Sequence, residues 1–186
     1  MTEQVSTSSA AEPASRRTSW GVWLMLGVVL LLLAVVAVQL VRVQQGPLTS
    51  GPVPDFTLTT FDGEEIQMSA LRGQVVVINF WASWCGPCEL EAAELEQFWR
   101  DNKDRGVMLI GVNWSDVQPD ALAYMAKFDI TYPSGVDVRT RISQQFRIDG
   151  VPETYIIDKQ GNIREAIIGP TTYANLTRII EELLAE

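Results

Sequence analysis

Histidine is absent from this chain of 186 residues, and cysteine occurs only at positions 85 and 88. A structural zinc site takes four ligands, mostly cysteine and histidine, so this pair supplies half of one at most. Covalent haem attachment needs a histidine directly after the second cysteine, where this chain has Glu89. Two buried structural cysteines or half of a metal site stay open as interpretations, but a redox-active pair is favoured.

Basic residues are scarce. Lysine and arginine total 14 against 23 aspartate and glutamate residues, and the formal net charge is −9 at pH 7. All of this acidic excess follows residue 45, since residues 1–45 carry three arginines and two glutamates. Nucleic acid and anionic lipid headgroups repel such a surface, so neither is expected as a partner of this part of the chain.

Charged residues are missing from one long apolar run, Trp20 to Val41. About 20 apolar residues suffice to cross a bilayer core, so we predict a transmembrane helix over residues 20–43. A cleaved signal peptide is the alternative, but its apolar core would be only about 7–15 residues long. The length of the run favours an uncleaved signal anchor.

Arginine flanks this run unequally, with Arg16 and Arg17 before it and Arg42 after it. The excess of positive charge on the N-terminal side predicts that residues 1–19 form a short cytoplasmic tail and that the rest of the chain lies outside. The arginine pair also raises twin-arginine export as an alternative. Thr-Ser-Trp follows the pair, where that signal usually has apolar residues, and this disfavours it.

Strand-like and helix-like patterns alternate after a Gly- and Pro-rich linker predicted over residues 44–54. A hairpin is predicted over 55–73, turning at Asp62-Gly63, as the start of a domain over 55–186. Ser115 or Asp116 is expected to cap the second helix. The order predicts an α/β domain with a central mixed β-sheet flanked by helices. Strands are predicted over 75–81, 107–114, 154–158 and 163–168, and helices over 85–104, 119–128, 139–146 and 172–185.

The two cysteines lie where the first strand gives way to the first helix of this domain. A helix N-terminus favours an anion, so the thiolate form of Cys85 is favoured there. Cys88, three residues later, can attack a mixed disulfide formed on Cys85. Proline is tolerated in a first helical turn. The motif reads Trp84, Cys85, Gly86, Pro87 and Cys88.

Residues 80–88, Phe-Trp-Ala-Ser-Trp-Cys-Gly-Pro-Cys, and residues 150–154, Gly-Val-Pro-Glu-Thr, resemble the thioredoxin superfamily. The resemblance is strongest to its membrane-anchored cytochrome-c-biogenesis branch, the TlpA-, ResA- and CcmG (DsbE)-like redoxin domains. It covers roughly residues 53–186. It implies a thioredoxin-like fold with an N-terminal β-hairpin and an enlarged central segment over 114–146. It also implies a thiol-disulfide oxidoreductase that needs no metal or organic cofactor, because the electrons reside in the cysteine pair.

Glu91 is the predicted proton acceptor. It follows Cys88 by three residues, so helix geometry places both on one face, and a carboxyl buried there would have a raised pKa. Thioredoxins use a strand aspartate for this task, where this chain has Asn79, whereas ResA- and CcmG-like proteins carry glutamate at the position matching Glu91. The alternative is that Glu91 is one of several exposed helix acids, with Glu89, Glu94 and Glu96.

Pro152 alone would indicate an edge-strand proline. The resemblance implies a cis Val151–Pro152 peptide that faces the dithiol and offers the Val151 backbone to an extended substrate. Glu153 is either a second acid near the site or plain surface charge. Trp81 is expected in the core and Trp84 at the rim. The residues predicted to contact substrate are Trp84, Gly86, Pro87, Val151, Pro152 and Glu153.

These features predict a membrane-anchored oxidoreductase on the extracytoplasmic side that reduces disulfides. The resemblance implies partners of two kinds: protein disulfides, such as those of apocytochrome c, and a membrane electron donor that reduces the dithiol again. The lipid bilayer would be contacted through residues 20–43. A general disulfide exchanger or oxidase and a non-catalytic anchored binding module or chaperone remain the alternatives; peroxidase chemistry is disfavoured because its threonine-containing cysteine motif is missing.

Overall fold

The computed structural model describes residues 20–43 and 46–186, which belong to two separate units. The cytoplasmic tail predicted over residues 1–19 and the linker residues 44 and 45 lie outside the described residues.

The first unit contains one helix, α1, over Trp20–Val43. Its segment Trp20–Leu40 is long and apolar enough to cross a membrane, and its side chains are exposed rather than packed in a protein core. A helix that is apolar on all sides is typical of a lipid-facing segment.

The second unit contains eight strands among the described residues: β1 Gly51–Pro52, β2 Thr57–Thr59, β3 Glu65–Gln67, β4 Val75–Trp81, β5 Val107–Asn113, β6 Ser134–Val136, β7 Glu153–Ile157 and β8 Asn162–Ile168. Six of them form one sheet in the order β1-β8-β7-β4-β5-β6. Strands β4, β5 and β6 are parallel, whereas β7, β8 and β1 complete the sheet with antiparallel pairing. Strands β2 and β3 form the separate N-terminal hairpin.

Helices cover both faces of this sheet. They are α2 Gly86–Asn102, α3 Gln118–Lys127, α4 Arg141–Phe146 and α5 Tyr173–Ala185, with 3-10 turns over Met68–Leu71 and Val138–Thr140. Helices α2, α3 and α5 pack on the face that carries Val75, Val77 and Trp81 of β4. Helix α4, the hairpin and the first 3-10 turn pack on the opposite face. Because β4 is buried on both faces, its sequence is almost continuously apolar.

The linker predicted over 44–54 is shorter than expected, because the chain joins the domain well before residue 55. The backbone N–H of Leu48 donates to the Phe146 carbonyl at 3.0 Å, and Gly51–Pro52 pairs with β8. A Gly- and Pro-rich composition was a misleading signal here, since a short edge strand tolerates both residues.

Two details of the central segment also differ from the prediction. The N-cap of α3 is Val117, without a side-chain cap, so neither Ser115 nor Asp116 holds that position. The helix predicted over 139–146 begins only at Arg141, because Arg139 and Thr140 adopt left-handed backbone angles, with φ of 58° and 55°.

Strand β6 was not predicted, because its sequence contains Gly135 and follows a proline. Gly135 is required there by close packing: a Cβ would lie 2.1 Å from the Thr59 carbonyl oxygen, a backbone atom of the hairpin. The absence of a side chain therefore lets β2 lie against β6.

The topology brings three chain segments together at one edge of the sheet. The parallel strands β4, β5 and β6 all end there, and the antiparallel strand β7 begins there. The segments after β4, after β5 and before β7 therefore meet, and they carry the dithiol, Asp116 and the Val151–Pro152 peptide.

We expect Gly135→Ala to lower the free energy of unfolding by about 1–3 kcal/mol, because the hairpin backbone must move to admit the methyl group. Gly150→Ala is the matched control, since a Cβ at that position meets nothing within 4 Å. Chemical denaturation of the oxidised proteins measures the free energy of unfolding of both variants. Equal stability of the two variants would contradict this account of the hairpin contact.

Candidate active site

Cys85 and Cys88 form a disulfide at the N-terminus of α2, with an S–S distance of 2.07 Å. Cys85 is the N-cap of the helix, and the backbone N–H of Cys88 donates to its sulfur at 3.1 Å. Both cysteines are buried, whereas Gly86 and Pro87 of the first turn are exposed. After reduction, the same N–H and the helix dipole would favour the thiolate form of Cys85.

The Val151–Pro152 peptide lies next to this disulfide. Its peptide bond is cis, and the Val151 carbonyl oxygen is 3.5 Å from the sulfur of Cys85. The Pro152 carbonyl accepts a hydrogen bond from Gly169 at 2.9 Å, which fixes the peptide to the segment after β8. A cleft of about 550 Å³ opens on this side, lined in part by Pro47, Val151, Pro152, Glu153 and Ile168.

Trp84 lies on the other side of the dithiol and is 58% exposed. Its indole N–H donates to the Ser115 carbonyl at 3.1 Å, and its ring lies 5.9 Å from that of Trp114. A second cleft, of about 670 Å³, is bordered by Trp84 together with the exposed side chains of Val117 and Val138. The predicted position of Trp84 at the rim agrees with this exposure.

Asp116 connects the loop before the dithiol to the loop after β5. Its carboxylate accepts from the Ser83 backbone N–H at 2.6 Å, the Ser83 hydroxyl at 2.9 Å and the Asn113 amide at 2.9 Å. Partial burial would raise the pKa of Asp116, but these hydrogen bonds and one from Val117 outweigh it, so that the pKa is lowered. The sequence indicated only a helix cap, since Ser83 is remote in the chain.

Glu91 is buried in α2, with 1% of its surface exposed. The Asn79 amide donates to its Oε1 at 2.8 Å, and the Thr171 backbone N–H donates to its Oε2 at 2.8 Å. Burial raises the pKa of Glu91 from its ordinary value near 4.5 to about 7, while the two hydrogen bonds act in the opposite direction. The alternative of an exposed helix acid is therefore wrong for this residue.

The other acids of α2 have different surroundings. Glu89 is exposed and pairs with Lys127 at 2.8 Å. Glu94 is half-buried and accepts from the Tyr173 backbone N–H at 2.8 Å. Glu96 is buried, contrary to expectation, and binds Thr131 and Arg100. Glu91 is the acid of this helix that is hydrogen bonded to the central strand.

Sequence reasoning did not identify the partners of Glu91. The sequence indicates only that Asn79 cannot ionise, and it gives no role to Thr171. A useful signal was nevertheless present, because a polar residue within the apolar strand β4 requires a buried hydrogen-bond partner.

Glu153 is 2% exposed, so the interpretation as surface charge is wrong. The Tyr155 hydroxyl donates to its Oε2 at 2.9 Å, and burial raises the pKa of Glu153 despite that bond. The register pairs Glu153 with Phe80 and Thr154 with Asn79. Because side chains alternate along a strand, Glu153 and Glu91 lie on opposite faces of the sheet.

Residues 50–166 match the model of the AhpC/TSA family. The chain belongs to the AhpC/TSA family.

Relatives within this family carry names that describe one activity. The thiol-disulfide oxidoreductase ResA of Geobacillus kaustophilus is 31% identical over 130 residues, covering 70% of this chain and 75% of that protein. The thiol:disulfide interchange protein DsbE of Allochromatium vinosum is 36% identical over 127 residues, covering 67% of this chain and 68% of that protein. The predicted activity is confirmed: this family member is a thiol-disulfide oxidoreductase.

Solved structures show the same fold. A thiol:disulfide interchange protein of the thioredoxin family from Chlorobium tepidum superposes with a TM-score of 0.67 and 28% identity, covering 76% of this chain and 99% of that one. The predicted thioredoxin-like α/β fold, with a mixed sheet flanked by helices, is thereby confirmed.

We expect the stability of the oxidised protein to depend on pH through Glu91. Its pKa is higher in the folded than in the unfolded state, so its contribution is fully present below about pH 4.5 and is lost as the pH rises to about 7. The unfolding free energy should fall by roughly 2–4 kcal/mol across this range relative to that of Glu91→Gln. Chemical denaturation at a series of pH values measures the difference.

The matched control for that experiment is Glu65→Gln, which changes an exposed acid of the hairpin. This variant should keep the pH dependence of the unmodified protein. Parallel curves for the unmodified protein and Glu91→Gln would show that the buried carboxyl does not titrate in this range.

Proposed function

We propose that this oxidoreductase is anchored in the cell membrane by α1, acts on the extracytoplasmic side and reduces disulfides of exported proteins. Cysteine pairs of apocytochrome c are the proposed substrate class. The observation that carries the proposal is the 3.5 Å contact between the Cys85 sulfur and the Val151 carbonyl. It supports a site where an extended partner chain pairs with the Val151 backbone while its disulfide meets the dithiol.

The first step is attack by the Cys85 thiolate on one sulfur of the substrate disulfide. A mixed disulfide forms between Cys85 and that sulfur, the substrate S–S bond breaks, and the second substrate sulfur leaves as a thiolate. Backbone contacts at Val151 give affinity with little dependence on substrate sequence. The exposed ring of Trp84 and the residues Gly86 and Pro87 would form the rest of the contact surface.

The second step is attack by Cys88 on the sulfur of Cys85. This re-forms the Cys85–Cys88 disulfide and releases, as a thiolate, the substrate cysteine that was bonded to Cys85, so that two electrons have passed from the enzyme to the substrate. Cys88 must lose its proton before it attacks, and Glu91 is the proposed acceptor. A carboxyl with a pKa of about 7 suits this exchange, because both of its protonation states are populated near neutral pH.

Repeated turnover requires that a dithiol partner reduce the Cys85–Cys88 disulfide again. Extracytoplasmic compartments are oxidising, so we propose a membrane protein as this electron donor. The proposal needs no metal or organic cofactor, since the two sulfurs carry the electrons. Glu153 lines the cleft beside Pro152 that either partner would occupy.

The proposed location follows from the ends of the apolar run. Arg16 and Arg17 precede α1 and favour a cytoplasmic N-terminus. The domain that follows α1 would then face the periplasm or the outer surface of the cell. The length and apolar composition of α1 support this single-pass arrangement.

Cys88→Ser should trap mixed disulfides, because the first step proceeds and the second cannot. With an oxidised peptide that carries the Cys-x-x-Cys-His sequence of apocytochrome c, we expect a covalent adduct on Cys85 that dithiothreitol releases. Non-reducing electrophoresis and mass spectrometry measure it. The control Cys85→Ser/Cys88→Ser should form none.

Two outcomes would contradict the proposed function and favour one of its alternatives. No adduct with any protein disulfide would favour a structural disulfide in a binding module. An oxidase or general exchanger would be favoured by two measurements together. The reduction potential of the Cys85–Cys88 pair would lie at the oxidising end of the range for thiol-disulfide oxidoreductases, and the protein would oxidise the peptide faster than it reduces it.

The orientation is tested with the full chain expressed in a bacterial host. Protease added to intact spheroplasts should degrade the domain after residue 46, because we expect it to lie outside the membrane. A cytoplasmic protein of the host serves as the control for leakage. Protection of the domain until the membrane is lysed would contradict the proposed orientation.

A further inference from the structure

The side chain of Asn79 occupies an unusual place in the middle of the apolar strand β4, where it is 1% exposed. Its amide nitrogen donates to Glu91 Oε1 at 2.8 Å and to the Thr154 hydroxyl at 3.1 Å. A side-chain amide nitrogen has two N–H donors, and both are used here. The direction of the amide is therefore determined by one neighbour on α2 and one on β7.

In this arrangement, each oxygen of the ionised Glu91 carboxylate accepts a hydrogen bond. Oε1 receives an N–H from Asn79, and Oε2 receives the backbone N–H of Thr171. Two donors stabilise the anion and oppose the effect of burial, so the pKa of Glu91 remains near neutral pH.

The protonated form has a different requirement, because a neutral carboxyl group carries an O–H that needs an acceptor. Among the described residues, Asn79 Oδ1 is buried and has no hydrogen-bond partner. Rotation of the amide by about 180° exchanges its oxygen and nitrogen, so Oδ1 can accept from the Glu91 carboxyl. The two amide N–H groups then occupy the position where Oδ1 had no partner. The Thr154 hydroxyl remains bonded, since a hydroxyl both donates and accepts.

We propose that Asn79 is a positioning residue of the exchange reaction, whose side-chain amide holds the Glu91 carboxyl group and hydrogen bonds it in both protonation states. The inference rests on the proton-acceptor role proposed above for Glu91. Asn79 thereby keeps a buried acid satisfied before and after it takes the proton of Cys88. A leucine at this position would be of similar size but could hydrogen bond neither the ionised nor the protonated form of Glu91.

The other titratable groups around Glu91 do not supply the hydrogen bonds that Asn79 gives to its carboxyl. Cys88 lies on the same helix face, and Tyr124 on α3 and Tyr132 before β6 are the nearby phenols. Burial raises the pKa of both tyrosines, so they stay neutral across the range in which Glu91 titrates. Glu89, also on α2, is paired with Lys127 at the surface.

The first test is NMR of the oxidised full chain in detergent micelles, where the disulfide removes thiol titration. The side-chain amide resonances of Asn79 should shift with pH at the same midpoint as the Glu91 carboxyl carbon. In Glu91→Gln this shift should vanish. Asn113 is the internal control, because its buried amide donates to Asp116 rather than to Glu91. If the Asn79 amide resonances of the unmodified protein do not shift at the midpoint of the Glu91 carboxyl, the inference is wrong.

The second test is the midpoint of Glu91 in Asn79→Leu. The anion loses a donor and the neutral acid loses an acceptor. Because the hydrogen bond to the charged form is the stronger of the two, we expect the midpoint to rise by about 1 pH unit. Asn113→Leu removes a comparable buried amide and should leave the Glu91 midpoint unchanged. If Asn79→Leu does not fold, Thr154→Val removes the group that orients the amide and should shift the midpoint in the same direction. An unchanged midpoint in the folded variant contradicts the proposal.

The third test separates this inference from the proposed role of Glu91. In the reduced protein, Asn79→Leu should shift the pH profile of Cys88 alkylation, and the double variant with Glu91→Gln should match Glu91→Gln alone. If Glu91→Gln leaves the profile unchanged, the proton-acceptor role is wrong. If Glu91→Gln changes the profile and Asn79→Leu does not, the role of Glu91 stands and the inference about Asn79 fails.

Discussion

The pairing of β4 on both of its edges is the constraint on which the site depends. Parallel pairing with β5 and antiparallel pairing with β7 bring the ends of three segments to the same edge of the sheet. The dithiol follows β4, the Asp116 loop follows β5, and the cis-proline peptide precedes β7. The register also places Asn79 opposite Thr154, beneath the first turns of α2. Sheet geometry thus assembles reactive groups that lie far apart in the chain.

The burial of Glu91 is balanced against its hydrogen bonds. Transfer of a carboxylate out of water disfavours its charge, whereas donors from β4 and from the segment before α5 favour it. Neither effect alone would hold the pKa at about 7. A fully solvated acid would be ionised throughout the neutral range and a poor acceptor, whereas a buried acid without donors would remain protonated. The hydrogen bonds therefore keep both protonation states of Glu91 accessible near neutral pH, as the proposed proton exchange requires.

The parts of the site that the sequence predicted are local in the chain. The spacing of Cys85 and Cys88, and the placement of Glu91 three residues later, follow from helix geometry, and the apolar run of β4 marks a buried strand. The contacts of Asp116 with Ser83 were not predictable, because neither residue type specifies a partner 33 positions away. The cis state of Pro152 required the family resemblance, since most X-Pro bonds are trans. Strand β6 depends on packing against the hairpin, which local propensity does not reveal.

The two buried acids near the dithiol have different surroundings because the sheet separates them. Glu91 lies on the face covered by α2 and is bonded to Asn79, whereas Glu153 lies on the opposite face and is bonded to Tyr155. Only Glu153 lines the cleft beside Pro152. Glu91 is thus enclosed in the domain, where we propose that it exchanges a proton with Cys88, whereas Glu153 is buried beside the cleft that we propose for a partner. Because the sheet lies between the two acids, the surroundings of Glu153 can change without altering the hydrogen bonds of Glu91.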